Sequence, residues 1–243
     1  YLPFKQKRKT KGQKAVEHGL KPLAVFVQKE RSNSRIELKA ESFVRGEIKS
    51  VDDALEGAVN ILAEWISEDL RLRDKIRNQF ERFGQISSKL KKGKEQEASK
   101  YVDYFKFSES VTRIASHRIL AIFRAEKEGF LNVKIETDKE RTKEQMSRFV
   151  FYKHSENAFT SRAIDEAYKR ILQPNFESEL KKLLKEKADL ESIQVFAKNL
   201  KQLLLQSPLG GKSILALDPG FRTGCKVAVL NSNGDFVEST AIF

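Results

Sequence analysis

A chain of 243 residues with 40% apolar and 33% charged positions and 17 Phe carries enough hydrophobic material for one large or two modest cores, which excludes a disordered chain. Membrane insertion is excluded too, since the densest apolar cluster, Leu203 to Leu205, is bounded by Gln202 and Gln206. Lys plus Arg number 46 against 34 Asp plus Glu, a net charge of +12 that favours a polyanionic partner such as nucleic acid, RNA or DNA.

The opening run, Tyr1 to Lys14, holds Lys5, Lys7, Arg8, Lys9, Lys11 and Lys14 with no acid, beside Tyr1 and Phe4. Such a run either neutralises phosphates while rings stack on bases, or is a solvated connector anchored by its rings. It lacks the apolar stretch of a signal peptide. A first residue of Tyr1 and a last segment, Glu238 to Phe243, that reads as a strand in progress make an excerpt of a longer protein the expectation.

From Ser50 to Phe83 the residues Leu55, Val59, Leu62 and Ile66 recur at helical spacing. Ser50 and Asp53 resemble a capping box, Gly84 is a natural stop, and a break near Ser67 to Asp69 would give two helices. Ser87 to Glu95 is polar and lysine-rich, and Lys89, Lys91, Lys92, Lys94 and Lys100 around Gly93 form a second basic cluster, read as a flexible loop. It is either a phosphate contact or a solvated face. Glu97 to Phe105 reads as a helix with Tyr101, Tyr104 and Phe105 turned to a core. Ser116 is placed to cap a helix to Glu128 closed by Gly129, and Leu131, Val133 and Ile135 alternate with Asn132, Lys134 and Glu136 as a half-buried strand.

Four more helices are expected over Thr142 to Tyr152, Ser161 to Leu172, Asn175 to Lys187 and Asp189 to Gln206, with Pro174 separating the middle pair. Ser207-Pro208-Leu209-Gly210-Gly211 is a breaker cluster, after which the period becomes strand-like over Ser213 to Leu217, Cys225 to Leu230 and Asp235 to Ile242. Asn233-Gly234 predicts a two-residue hairpin turn. The fold class is therefore mainly α: a multi-helix body with a short β element, then three strands. Residues 1–206 form the helical region, 207–212 a linker, and 213–243 the start of a second domain.

Asp218 follows an apolar strand and precedes Pro219-Gly220, so it either shapes a turn or stands where two-metal phosphoryl chemistry places its first carboxylate. Beyond the breaker cluster the other acids are Asp235 and Glu238, neither aimed at it. Ser116-His117-Arg118 offers an anion-holding cap or an ordinary helix start. His18 and His154 lack metal-ligating neighbours, and Cys225, the one cysteine, cannot form an internal disulfide. No metal and no cofactor are expected, and a reducing, cytoplasmic compartment is.

Taken together these motifs resemble the Tex family of bacterial transcription accessory proteins. The matching residues are Tyr1-Leu2-Pro3-Phe4-Lys5, Ala54 to Ala58, Ile61 to Glu64, Lys92-Gly93-Lys94-Glu95, Tyr101 to Phe105, and Ser116-His117-Arg118. Asp165 to Arg170, Phe196 to Leu200 and Leu217 to Gly224 continue the series in order. The resemblance implies that Ser213 onward begins a YqgF-type, ribonuclease-H-like α/β domain, in which Asp218 maps onto a resolvase-type first carboxylate. It also implies a nucleic-acid-binding scaffold in transcription, with the transcription machinery as a partner. The contacts expected are Lys5, Lys7, Arg8, Lys9, Lys11, Lys89, Lys91, Lys92, Lys94, Arg118 and Arg222. The rival readings are a magnesium-dependent nuclease using Asp218, and a protein-interaction scaffold with no nucleic-acid role in this segment.

Overall fold

The stripe of Leu55, Val59, Leu62 and Ile66 becomes the central helix of the protein. In the computed structural model, which describes residues 9–207, 209–220 and 224–243, the chain divides into two units, one ending at Ser192 and one from Ile193 to Phe243. The first unit opens with α1 (Lys11–Glu17), α2 (Lys21–Lys29), α3 (Asn33–Glu41), α4 (Val51–Glu68) and α5 (Leu70–Phe83). Helix α4 touches α1, α2, α3 and α5. Alanines at 54, 58 and 63, all fully buried, let these neighbours approach. At Gly57 a Cβ would lie 2.2 Å from a Leu20 methyl, so glycine is what lets Leu20 seat against α4.

The break expected between α4 and α5 falls at Asp69, whose extended backbone and carboxylate, accepting from the N–H groups of Arg71 and Leu72 at 3.0 and 3.1 Å, end one helix and cap the next. Ser50 caps α4 through the Asp53 N–H, but the box does not close on Ser50: the Asp53 carboxylate accepts from Lys49 N instead. No helix is expected from the sequence over residues 11–41, where α1 to α3 lie, although Leu23, Ala24 and Val27 of α2 and Ile36 and Ala40 of α3 are buried at helical spacing. Helix α1 is only seven residues long; a capping box closes its start, Gln13 N–H donating to the Thr10 hydroxyl and Thr10 N–H to the Gln13 side chain at 3.1 Å, and Glu64 of α4 ties it down by accepting from the Thr10 hydroxyl and Gly12 N–H, both at 2.8 Å.

The expected single strand is part of a three-stranded antiparallel sheet, ordered β2-β1-β3, from β1 (Gln85–Leu90), β2 (Lys106–Ser110) and β3 (Leu131–Glu136). Residues 85–90 are thus a strand rather than a loop. Its alternation is hidden because a serine takes an inward place: Ser88 is buried, and its hydroxyl donates to the Tyr104 carbonyl at 2.6 Å. The segment expected as a helix before β2 is a 3-10 turn, Ser99–Tyr104, bent at Tyr101, which is buried as expected. In α6 (Ser116–Lys127) the cap position belongs to Ala115 and not Ser116, whose hydroxyl reaches the Glu191 carboxylate instead. Gly129 closes α6 at φ +84.

Helix α7 (Lys139–Phe151) begins at its cap Asp138, earlier than expected, and runs antiparallel to α5. Lys153 meets Asp69 at 2.8 Å at one end, Arg141 lies 5.1 Å from the Phe83 ring centre at the other, and Lys75 stacks on Phe149 at 5.2 Å between them. Residues 155–158 then clasp the end of α2. Ser155 N–H donates to Gln28 O, the Ser155 hydroxyl to Lys29 O, and the Asn157 amide to Val27 O and Glu30 O, so carbonyls that a helix end leaves bare are met.

Beyond the clasp, α8 (Ala158–Glu166), a π-helical stretch (Ala167–Leu172) and α9 (Gln173–Leu204) follow without interruption. The expected breaks at Pro174 and near Ala188 are absent. A proline ring collides with the carbonyl four residues earlier in an α-helix, and the wider π turns ending at Leu172 accommodate it without ending the helix. Side chains of α9 also meet the outer edge of β3: Lys181 donates to Val133 O at 2.6 Å, and Glu177 accepts from Ile135 N.

His154, half-buried, accepts at its Nε2 from the Gln28 side-chain amide, 3.1 Å away. Burial foremost, then Lys153, pulls its pKa below the ordinary imidazole value. Unfolding therefore takes up a proton as pH drops, so this group's contribution to stability is present above about pH 6.5 and is lost below it. Urea unfolding midpoints are expected to fall between pH 7.5 and 5.5, and less steeply in His154→Gln.

In the second unit β4 (Ile214–Gly220), β5 (Gly224–Leu230) and β6 (Phe236–Ile242) form an antiparallel sheet in that order. Strand β4 runs further than expected, because Pro219 and Gly220 continue the pairing opposite Cys225 and Gly224. The β5–β6 loop has three residues rather than two: Gly234 N–H bonds Asn231 O, Asn231 N–H bonds Asp235 O, and Gly234 alone takes a positive φ, +86. Among the described residues no helix is long and apolar enough to cross a membrane.

Candidate nucleic-acid interface

In an antiparallel sheet, residues directly opposite one another point to the same side. Ile86, Ser88 and Leu90 with Phe107, Leu131, Val133 and Ile135 therefore face the core, and the other side presents Gln85, Ser87 and Lys89 from β1, Lys106 and Ser108 from β2, and Asn132 and Lys134 from β3. Lys89 stands directly opposite Lys106, and Lys134 is its diagonal neighbour across β3. Cβ atoms of such pairs lie about 5 Å and about 7–8 Å apart, and like charges so placed repel. All three lysines are exposed, and none has a carboxylate partner among the described residues. The one acid on this face, Glu136, is engaged by Lys139 and Gln173. Lys91 and the exposed Lys92 follow directly, so the cluster expected as a flexible loop is anchored at its start on a strand.

Lys89 is among the contacts expected from the sequence, whereas Lys106 and Lys134 are not and stand beside it only through the strand register. The other expected contacts are placed differently. Lys9 pairs with Glu17 at 2.8 Å and Lys94 with Glu97 at 2.9 Å. Arg118 holds Glu109 at 2.9 Å, beside an exposed His117, which leaves no free anion pocket at that helix start. Lys100 is tied to Glu128; that hydrogen bond foremost raises the Lys100 pKa and lowers that of Glu128. Lys11 is exposed and lines a small cleft with Glu56, Asp165 and Arg162, a mixed rather than a basic surface. Lys5, Lys7, Arg8 and Arg222 lie outside the described residues.

Asp218 is exposed within β4, opposite Lys226. Glu238 pairs with Val229, three positions along β5 from Lys226, and an odd offset puts it on the other face of the sheet. The two carboxylates cannot share a metal ion in this sheet. Among the described residues no group of three His, Cys, Asp or Glu is placed to hold one.

Residues 32–196 match the family described as Tex central region-like, and residues 212–243 the Tex protein YqgF-like domain. Over its whole length the chain is 36% identical to YdcI of Bacillus subtilis and 35% identical to the transcriptional accessory protein Tex of Neisseria gonorrhoeae, covering 34% and 33% of those proteins. Over 99% of its length it is 28% identical to the human S1 RNA-binding domain-containing protein 1, of which it covers 26%. The chain thus spans about a third of the length of the bacterial relatives.

Proposed function

The chain belongs to the Tex family, and on that premise we propose that it is a nucleic-acid-binding scaffold acting in transcription, which grips phosphates without performing chemistry on them. The names of its relatives, a transcriptional accessory protein and an S1 RNA-binding domain-containing protein, support the process. The observation that carries the binding is the placement of Lys89 against Lys106 and Lys134 on an open sheet face. Mutual repulsion there costs stability in the free protein, and a polyanion relieves it. Lys91, Lys92 and Lys11 are assigned as additional contacts; Lys9, Lys94 and Arg118 contribute less because carboxylates already neutralise them. Lys5, Lys7, Arg8 and Arg222 are assigned on charge alone.

RNA or DNA and the transcription machinery are the proposed partners. Residues 1–206 serve as the helical region, 207–212 as the connector and 213–243 as the beginning of the ribonuclease-H-like domain, a division supported by the matched segments.

The test is the triple variant Lys89→Glu, Lys106→Glu and Lys134→Glu, titrated with RNA and DNA at several salt concentrations. Affinity is expected to fall at least about tenfold near 100 mM salt, and the slope of log K against log salt to flatten by roughly 2 to 3, the counterion release of three phosphate contacts. Lys182→Glu on α9 is expected to leave both unchanged. An unaltered slope in the triple variant would remove phosphate binding from this face and favour a protein-interaction role.

A further inference from the structure

A second surface carries a different combination of groups. The exposed side of α5 presents Arg71, Lys75, Asn78 and Arg82 at intervals of four, three and four residues, a single helical stripe, while Leu72, Ile76 and Phe80 are buried on the other side. Antiparallel to it, α7 and the turn after it present Gln145, Arg148, Tyr152 and Lys153. Between the two helices lies a groove of about 830 Å³ lined by these residues and Phe149, with five cations and no carboxylate in its lining. Arg148 is tied to Glu144 at 2.6 Å and Lys153 to Asp69 at 2.8 Å, both acids lying outside the groove, whereas Arg71, Lys75 and Arg82 have no carboxylate partner among the described residues.

The aromatic residues divide the work. Phe149 is packed against the core and carries the ammonium groups of Lys75 and Lys153 over its ring, at 5.2 and 4.5 Å from the centre. Tyr152 is 90% exposed and lines the cationic groove. Fourteen residues of α5 make the groove about 20 Å long, room for a few nucleotides of one strand.

We propose that this α5–α7 groove is a binding site for an unpaired nucleic-acid strand, with Arg71, Lys75 and Arg82 following the backbone and Tyr152 stacking on a base. The site rests on the nucleic-acid reading only for the class of its ligand. It differs from the sheet face in kind: the sheet offers cations and hydroxyls without an exposed ring, and so does not distinguish stacked from unstacked bases, whereas a free ring lining a cationic groove offers a stacking surface to bases that have left the stack.

The experiment measures binding of the chain to fluorescent dT15, U15 and a 15-base-pair duplex. Tyr152→Ala is expected to weaken dT15 and U15 about 5- to 150-fold, the loss of one stacked base, with duplex binding unchanged and Tyr152→Phe restoring affinity. Lys75→Glu with Arg82→Glu is expected to weaken the single strands at least as much and to flatten their salt dependence. Tyr152 is exposed, and Lys75 and Arg82 have no salt-bridge partner, so circular dichroism spectra are expected to match the parent. Unchanged single-strand binding in both variants, with loss in the sheet triple variant, overturns the groove and leaves the nucleic-acid reading standing. Equal losses on duplex and single strand with Tyr152→Ala overturn the strand assignment. Absence of binding to all three probes by the parent chain overturns both.

Discussion

Asn157→Ala is expected to lower the free energy of unfolding by about 3 kcal/mol, which is large against the roughly 5–15 kcal/mol that hold a domain together. The side chain is 6% exposed and makes three hydrogen bonds of 2.8 Å: it accepts from Thr160 N–H as the cap of α8 and donates to the carbonyls of Val27 and Glu30 at the end of α2. Each bond contributes about 1 kcal/mol net, and alanine also leaves buried partners without water or protein to meet them. Urea unfolding with an unchanged m-value is the measurement. Asn157→Asp separates the roles, since it keeps the cap but turns a carboxylate oxygen toward two carbonyls. Its carboxyl pKa is then raised in the folded state, so this variant is expected to recover stability as pH falls from 7 to 4. A loss under about 0.5 kcal/mol for Asn157→Ala would mean that the clasp does not hold α2 and α8 together.

Phe176→Ala is expected to cost about 3–5 kcal/mol. Its ring is 1% exposed, lies 5.8 Å from that of Phe80 on α5, and sits beneath the guanidinium groups of Arg73 and Arg77 at 5.3 and 5.6 Å. Arg77 is in turn fixed by Glu179 at 2.7 Å and Asp74 at 2.8 Å, so the truncation removes a packing partner and the seat of two cations together. Phe80→Ala is expected to cost a similar amount. The double variant should lose about 0.5–1.5 kcal/mol less than the sum, because the two rings stabilise each other. Strict additivity in that cycle would contradict direct coupling between the rings.

How much of this was legible in the sequence depended on whether a signal was local. Leu55, Val59, Leu62 and Ile66 fix α4 by their own spacing, and Leu131, Val133 and Ile135 fix β3 in the same way. Strand β1 is illegible because Ser88 occupies an inward place that only the Tyr104 carbonyl, 16 positions away, makes acceptable. Helix α1 carries a local start signal, the Thr10–Gln13 capping box, which apolar periodicity does not reveal, and Glu64, more than 50 positions away, ties that first turn to α4. Pro174 misleads for the opposite reason: it carries a strong local message that the π turns before it neutralise.

The candidate surfaces follow the same division. Runs of lysine are visible along the chain, so Lys89, Lys91 and Lys92 stand out as candidates, but runs say nothing about pairing, and Lys9, Lys94 and Arg118 each hold a carboxylate. Lys106 and Lys134 join Lys89 through register alone. The stripe Arg71, Lys75, Asn78, Arg82 lies at helical spacing in the sequence, and the apolar periodicity of Ser50 to Phe83 passes over it.

The clasp has a consequence for the making of the molecule. The amide that closes α2 is supplied 130 positions after Val27, and at roughly 5–20 residues per second a ribosome needs about 6 to 26 s to deliver it. Throughout that interval α2, though α4 is made early in it to cover its apolar side, keeps its final carbonyls bare, which leaves its end a natural client for chaperones. A translation stall placed just before Asn157 is therefore the more hazardous one for aggregation; once this residue clears the exit tunnel, the beginning of the protein can lock.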